Sequence, residues 1–345
     1  MKNNNIIIAA GGTGGHVFPA VCLAKELKKK NYNIIFATDK RGLKYLGAFQ
    51  NSAIIQKINT SSRVKLYFSL LINVILKVFH IKYLKPSLVI GFGGYPAVPF
   101  VLAAQLLRIK TIIHEQNAVI GKANKLLSKM ANLVITSFPE TIGIEKSDKV
   151  VHLGNPTRFE NEYQKPNHFE DHILTILIFG GSQGAKIFSN EVVQAICALS
   201  KTVKLRVFHQ GRQEDINDIK SQYSAFNIEN IVSDFFENMN ELYEESDFVI
   251  SRSGASSIFE IIGFAKPAIL IPYTKSINGD QLANANYLKN KNAAIVINEN
   301  NNLEQELSLA FLEILKQKSL MQNNLRKLRI DNTTKKFAEI IEELL

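Results

Sequence analysis

The residues of this chain that can do chemistry gather at glycine-rich loops. His16 follows Gly11-Gly12-Thr13-Gly14-Gly15, which itself follows the apolar run Ile6-Ile7-Ile8-Ala9-Ala10. Glycines admit positive φ and leave space for a ligand against the backbone. The amphipathic pattern over 17–30 makes the loop a helix start, whose unpaired N–H groups and dipole favour negative charge. The loop therefore suits a phosphate, or charge that develops in a reaction. The same dipole would keep His16 neutral and able to accept a proton. The spacing is not G-x-G-x-x-G, so a dinucleotide fingerprint fits poorly. A tight turn without a ligand is the plain alternative.

Further groups follow along the chain. Gly91-Phe92-Gly93-Gly94-Tyr95-Pro96 lies between a strand-like run and a helix pattern, and His114-Glu115-Gln116-Asn117 ends the next apolar run. Four polar side chains at a strand end suit sugar hydroxyls; capping of the next helix by Asn117 alone is the simpler reading. Gly180-Gly181-Ser182-Gln183-Gly184 fits the G-x-S-x-G elbow of α/β-hydrolases. That elbow needs an acid and then a histidine later in the chain, and only Glu191 lies between Ser182 and His209. Ser182 is better read as a phosphate-binding hydroxyl at a helix start. Ser251-Arg252-Ser253-Gly254-Ala255 leads into a helix with Glu260 in its first turns. A carboxylate there can accept from both hydroxyls of a ribose, or simply favour the helix dipole by tenths of a kcal/mol. Asp280 and Gln281 open another helix. With no D-x-D pair and no His/Cys cluster, no bound metal is expected.

These groups need strands and helices to hold them. Strand-like runs fall at 34–38, 53–58, 87–90, 111–114, 133–136 and 150–153, with helical patterns between most of them. The second half repeats the plan at 173–179, 204–209, 228–232, 248–251, 268–271 and 293–297, and its glycine loop lies 169 residues after the first. Alternation of this kind predicts two doubly wound parallel sheets joined near 154–160, where the polar stretch 160–171 with Pro166 supports a linker. Ligands of such sheets lie beyond the carboxyl ends of the strands. Two such domains facing one another would make a cleft with a glycine loop on each wall.

Length and charge set limits. The 345 residues suit two domains with real cores. The two cysteines, Cys22 and Cys197, sit in helical patterns and point to a reducing compartment. The first residues lead straight to a strand, without a signal-peptide pattern. Residues 1–160 carry 22 Lys and Arg against 7 Asp and Glu, while 161–345 carry 19 against 24. A basic half on an acidic half suggests that one half faces something anionic. Aromatics are not interleaved with the basic residues as a nucleic-acid platform requires, so nucleic acid is not expected. The stretch 66–80 is apolar except for a stripe of Ser69, Asn73, Lys77 and His80, and it is flanked by Lys65, Lys77, Lys82 and Lys85. A basic-edged helix of this type lies in a membrane interface, through Leu70, Ile75 and Phe79 with Lys65, Lys77 and Lys82 on headgroups, or packs as an ordinary crossover helix.

GGTGGHVFP at 11–19, GFGGY at 91–95, HEQN at 114–117, GNPTR at 154–158, GGSQGA at 180–185, RSGA at 252–255, and Gln281 with Asn284 run in this order over about 275 residues. Together they closely resemble glycosyltransferase family 28, in its branch of bacterial enzymes that add N-acetylglucosamine (GlcNAc) from UDP-GlcNAc to a lipid-linked MurNAc-pentapeptide, turning lipid I into lipid II. The resemblance covers nearly the whole chain. It implies the α/β GT-B fold, with an acceptor- and membrane-facing domain over 1–158, onto which a last helix at about 332–345 packs, and a UDP-GlcNAc-binding domain over 159–331. It also implies inversion at the anomeric carbon, no metal or other cofactor, and a peripheral seat on the cytoplasmic face of the inner membrane beside cell-wall synthesis proteins. Carried over by motif, Thr13, Gly14, Gly15, Asn117, Arg158, Ser182, Phe236, Ala255, Ser256, Ser257, Ile258, Phe259, Glu260 and Gln281 contact UDP-GlcNAc. Phe236 rests on the loose motif DFFENM at 234–239, and Asp280 stands where relatives often carry another polar residue. His16 is the family's candidate base, with Glu115 the second candidate. Arg158 and the N–H groups at the Ser182 and Ala255 helix starts would offset the charge of the leaving UDP, with hinge motion bringing them together. A UDP-GlcNAc 2-epimerase, a nucleotide-sugar-binding module without chemistry, and a glycolipid transferase with another acceptor are the alternatives.

Overall fold

The structure is a computed structural model that describes residues 4–57, 62–160, 173–181, 185–299 and 302–345. It divides into two compact units, Met1–Arg158 with Ile330–Leu345, and Phe159–Arg329.

In the first unit each strand-like run contributes a strand: β1 (Asn5–Ala9), β2 (Asn33–Thr38), β3 (Ile54–Ile55), β4 (Leu88–Gly91), β5 (Lys110–Glu115), β6 (Leu133–Thr136) and β7 (Val150–His152). They form one parallel sheet in the order β3-β2-β1-β4-β5-β6-β7. β1 is buried on both faces. Ile6, Ile8 and Ala10 join one core, Ile7 and Ala9 the other, as side chains alternating about a sheet covered on both sides must. β3 keeps only two residues of the expected run 53–58, and residue 58 lies outside the described residues.

The second unit repeats the design with β8 (Leu174–Phe179), β9 (Leu205–Gln210), β10 (Glu229–Ser233), β11 (Phe248–Ser251), β12 (Ala268–Leu270) and β13 (Ala294–Val296). Their order is β10-β9-β8-β11-β12-β13, again all parallel. In both sheets the winding reverses beside the first strand, between β1 and β4 and between β8 and β11. Loops after those four strands therefore stand at the positions where open α/β sheets bind ligands. The last helix, Thr333–Leu344, buries Phe337, Ala338 and Ile341 in the first unit's core. Cys22 and Cys197 are both free thiols.

The helix Arg63–Leu84 is capped by Ser62, whose hydroxyl accepts from Lys65 N at 3.3 Å. Val74 and Ile81 bury against the sheet side, while Phe68 (65% exposed), Ile75 (52%), Phe79 (66%) and Tyr83 (85%) point outward. Two residues expected on a membrane face are not there. Lys77 is buried, its ammonium 5.1 Å from the Phe100 ring, and burial pushes its amine below the ordinary value. It lies three residues after Val74 and four before Ile81, so helical periodicity turns it inward with them. Leu70 is half-buried against the same core. Lys65 and Lys82 remain exposed beside the outward apolar face. Among the described residues, no helix is long and apolar enough to cross a membrane.

Candidate active site

In the first unit the loops after β1 and β4 pack on each other. A methyl group on Gly11 would come 2.4 Å from Pro96 Cγ, and one on Gly94 2.8 Å from the Gly11 carbonyl oxygen. Gly14 is equally filled, with the Phe18 ring 2.7 Å from a methyl position. These glycines serve loop packing, whereas Gly12 and Gly15 are open: their nearest neighbours would be the Arg41 guanidinium and Thr13 Oγ1, both at 3.7 Å. Thr13 is the residue before the helix Gly14–Lys29, its carbonyl accepting from His16 N at 3.2 Å and Val17 N at 3.3 Å. Gly12 N donates to Asp39 Oδ1 at 3.1 Å. Burial alone would raise the Asp39 carboxyl, but bonds from Gly42 and Gly12 and the Arg41 guanidinium hold it below its ordinary value.

His16 lies against the backbone of Gly93, whose φ is +94°. A methyl group there would be 3.1 Å from His16 Cδ2, 3.2 Å from Nε2 and 3.3 Å from Asn124 Nδ2. Asn124 in turn donates to Glu115 Oε2 at 2.8 Å and to the His114 carbonyl at 3.0 Å. Glu115 is 1% exposed and also accepts from Asn117 N at 3.0 Å, Asn117 Nδ2 at 3.3 Å and Gly121 N at 3.0 Å. Burial raises its carboxyl above the ordinary value against the pull of those bonds. The HEQN side chains are thus not a row open to sugar hydroxyls. His114, Glu115 and Gln116 are buried, and only Asn117 is half-exposed. Glu115, not Asn117, holds the start of the helix Lys122–Leu127 through Gly121 N. His114 sits between Phe92 and Phe337, takes a hydrogen bond from Gln116 at Nδ1 (2.9 Å), and is driven by burial to a pKa of about 3. Arg158 stands near the helix start as well: its guanidinium carbon is 4.3 Å from the Phe18 ring that underlies Gly14. The first unit therefore brings His16, Gly15, Asn117 and Arg158 to one sheet end, with Glu115 and Asn124 as the frame beneath.

In the second unit Ser182 lies outside the described residues. The helix Ala255–Phe264 starts after Gly254, whose carbonyl accepts from Ile258 N at 3.0 Å. Ser256, Ser257 and Phe259 are half-exposed, while Ile258 is wholly buried in the core and offers no side chain to a ligand. That follows from the helix face: Ile258 shares its side with Ile261 and Ile262. Phe236 is also buried at 7% exposure, and Phe235 is the outward ring at 55%. Glu260 is 5% exposed and accepts from the Tyr243 hydroxyl at 3.3 Å. Gln281 ties two loops together: its Oε1 accepts from Tyr273 N at 2.9 Å and its carbonyl from Ser253 Oγ at 2.7 Å. Asn284 Nδ2 donates to the Ser253 carbonyl at 3.1 Å, and Asp280 caps Gln281 N at 2.8 Å. Arg252 is held by the Ile271 carbonyl and Glu299, both at 3.0 Å, between Phe188 and Tyr273. Among the described residues no group of three His, Cys, Asp or Glu is placed to hold a metal ion.

Residues 6–136 match the glycosyltransferase family 28 N-terminal domain, and 175–344 match the family's C-terminal domain. The chain belongs to glycosyltransferase family 28. Within that family it is 37% identical over 342 residues, 98% of each chain, to the UDP-N-acetylglucosamine–N-acetylmuramyl-(pentapeptide) pyrophosphoryl-undecaprenol N-acetylglucosamine transferase of Wolbachia sp. subsp. Brugia malayi (strain TRS). It is similar to the crystal structure of Acinetobacter baumannii MurG, with a TM-score of 0.83 and 30% identity over 98% of this chain and 99% of that one. A UDP-GlcNAc 2-epimerase from Neisseria meningitidis shares the fold at a TM-score of 0.69, with 14% identity over 98% of this chain and 100% of that one. Two parallel α/β sheets of seven and six strands are the GT-B arrangement of this family 28 chain. Its sequence does not single out Asn124 or Tyr243: an asparagine in the plain helix KANKLL and a tyrosine among acidic residues carry no local signal.

Proposed function

We propose that this chain transfers GlcNAc from UDP-GlcNAc to the MurNAc 4-hydroxyl of undecaprenyl-pyrophosphoryl-MurNAc-pentapeptide, converting lipid I to lipid II in peptidoglycan synthesis. The observation that carries the reading is identity at 37% along 98% of both chains with a relative named for that reaction. The epimerase alternative has only a fold-level likeness at 14% identity behind it.

In this reading the acceptor hydroxyl attacks C1 of GlcNAc from the face opposite UDP. The hydroxyl proton passes to His16, the new C1–O bond forms, and the bond to UDP breaks with its electron pair leaving on the diphosphate. The anomeric centre inverts. His16 is the base rather than Glu115, because four hydrogen bonds hold the buried Glu115 to its own loop. The charge gained by UDP is met by Arg158, by amides of the glycine loops and by the helix start at Ala255, with no cation needed. Glu260 accepts from the ribose hydroxyls, and Ser256 and Ser257 flank the phosphates. The first unit takes the acceptor and the second the donor. The outward face of Phe68, Ile75, Phe79 and Tyr83, rimmed by Lys65 and Lys82, seats the enzyme on the anionic cytoplasmic face of the inner membrane.

The test is a transfer assay with labelled UDP-GlcNAc and a short-chain lipid I analogue, with UDP-GlcNAc alone in parallel. The expected result is a labelled disaccharide lipid, retained in the presence of a chelator. UDP-ManNAc from the donor alone, or activity lost to the chelator, sinks the reading. His16→Ala is expected to bind UDP-GlcNAc as the parent does while kcat falls by about 10²–10⁴-fold.

A further inference from the structure

We propose that Tyr243 is a positioning residue for the donor's ribose, holding the Glu260 carboxylate in the orientation that accepts from the sugar hydroxyls. The inference rests on the reading of Glu260 given above. Glu260 and Phe264 are four residues apart on the helix Ala255–Phe264, so they share a face. Tyr243, on the helix Met239–Glu245, addresses both. Its ring lies on Phe264 with centroids 4.8 Å apart and planes within 7°, and its hydroxyl donates to Glu260 Oε2 at 3.3 Å. The Phe179 ring, at the end of β8, meets it edge-on at 6.0 Å and 76°. Tyr243 is wholly buried, and its carbonyl accepts from Ser246 Oγ at 3.0 Å. The ring is thus set from two sides, and the hydroxyl is delivered to one carboxylate oxygen at a fixed place.

This arrangement matters for specificity. A glutamate reaches its carboxylate through three rotatable bonds and samples several rotamers unless something holds its end. A carboxylate is acceptor-only, and a vicinal diol offers it two donors, so both bonds form only when the carboxylate plane is correctly turned. At 3.3 Å the bond from Tyr243 is long for its kind, and its burial away from water is what lets it bias the carboxylate. A phenylalanine at 243 would fill the same slot between Phe264 and Phe179 and lose the bond to Glu260. The substitution therefore separates orientation of the carboxylate from packing of the helix.

The experiment titrates the full-length parent, Tyr243→Phe and Glu260→Gln with UDP and with 2′-deoxy-UDP by calorimetry. The parent is expected to prefer UDP, and Glu260→Gln to lose that preference. Tyr243→Phe is expected to bind UDP about threefold to tenfold more weakly, the effect of one ordinary hydrogen bond, while 2′-deoxy-UDP binding holds. A Tyr243→Phe protein with the parent's preference overturns the inference when Glu260→Gln has lost it. Equal weakening of both nucleotides assigns Tyr243 to packing and also overturns it. A Glu260→Gln protein that keeps the preference removes the reading of Glu260, and the inference with it.

Discussion

Gly93→Ala tests the placement of His16 most directly. Two effects add at this position. The backbone is at φ +94°, a region that costs a residue with a Cβ about 1–2 kcal/mol. The new methyl would also stand 3.1 Å from His16 Cδ2, 3.2 Å from Nε2 and 3.3 Å from Asn124 Nδ2, and relief of such overpacking typically costs about 1–3 kcal/mol. Asn124 is tied to the His114 carbonyl and to Glu115, so the methyl bears on the imidazole, and a displacement on the order of 1 Å at a reacting group costs about 10²-fold in rate. The expected phenotype is a kcat lowered about a hundredfold, which is about 2.7 kcal/mol of barrier, with UDP affinity unchanged because the added methyl bears on His16 and Asn124 and not on the groups assigned to the nucleotide. Gly47→Ala is the control: φ there is +54° and nothing lies within 4 Å of the added methyl. It shares the backbone strain without touching His16, so it should lower stability by about 1 kcal/mol and leave kcat alone. Both are read from steady-state transfer rates together with thermal unfolding. A Gly93→Ala enzyme that folds and turns over at the parent rate would remove His16 from the chemistry.

Three further outcomes are expected. Glu115→Gln replaces an acceptor oxygen with an amino group that faces donors from Asn117, Gly121 and Asn124, and should destabilise the first unit by about 2–4 kcal/mol in denaturant unfolding. Lost turnover at unchanged stability would instead make Glu115 the base. Ile75→Ser with Phe79→Ser, at 52% and 66% exposure, should weaken binding to anionic vesicles about a hundredfold, at about 1.5 kcal/mol for each side chain withdrawn, without lowering the melting temperature; equal vesicle binding would place the membrane contact elsewhere. His114 and His209 are held near pKa 3 by burial, against 6.5 when free. The unfolded chain therefore takes up protons that the folded chain refuses between those values. Stability is fully present above pH 6.5 and falls below it, by about 3 kcal/mol for the pair at pH 5.5, offset only as far as Glu115, with its raised carboxyl, takes up a proton when folded. Equal denaturant midpoints at pH 7.5 and 5.5 would contradict this.

The strands were legible because a sheet covered on both faces needs unbroken apolar runs, and such runs survive in one sequence without any partner in view. The loops were legible for a similar reason: a glycine cluster after such a run has few other uses. What each polar residue does there was not, since that depends on which element covers it. Glu115 reads as an available carboxylate until Asn124 and Gly121 are seen to occupy it. Lys77 reads as a headgroup contact until Phe100 is found under its ammonium. Ile258 and Phe236 lie inside ligand motifs, yet their side chains belong to the core.

The glycines make the point most sharply. Gly11, Gly14, Gly15, Gly93 and Gly94 look alike as letters, yet a methyl group would meet Pro96 at the first, Phe18 at the second, His16 at the fourth and the Gly11 carbonyl at the fifth. Gly12 and Gly15 stand open, each with 3.7 Å to its nearest neighbour, and of the two only Gly12 has a positive φ, at +91°. A motif dense in glycine is thus mostly a statement about how closely two loops and an imidazole are pressed together. The ligand needs a glycine that the packing leaves uncovered, and Gly15→Ala should accordingly disturb substrate binding, read by calorimetry with UDP-GlcNAc, where Gly11→Ala disturbs folding, read by thermal unfolding.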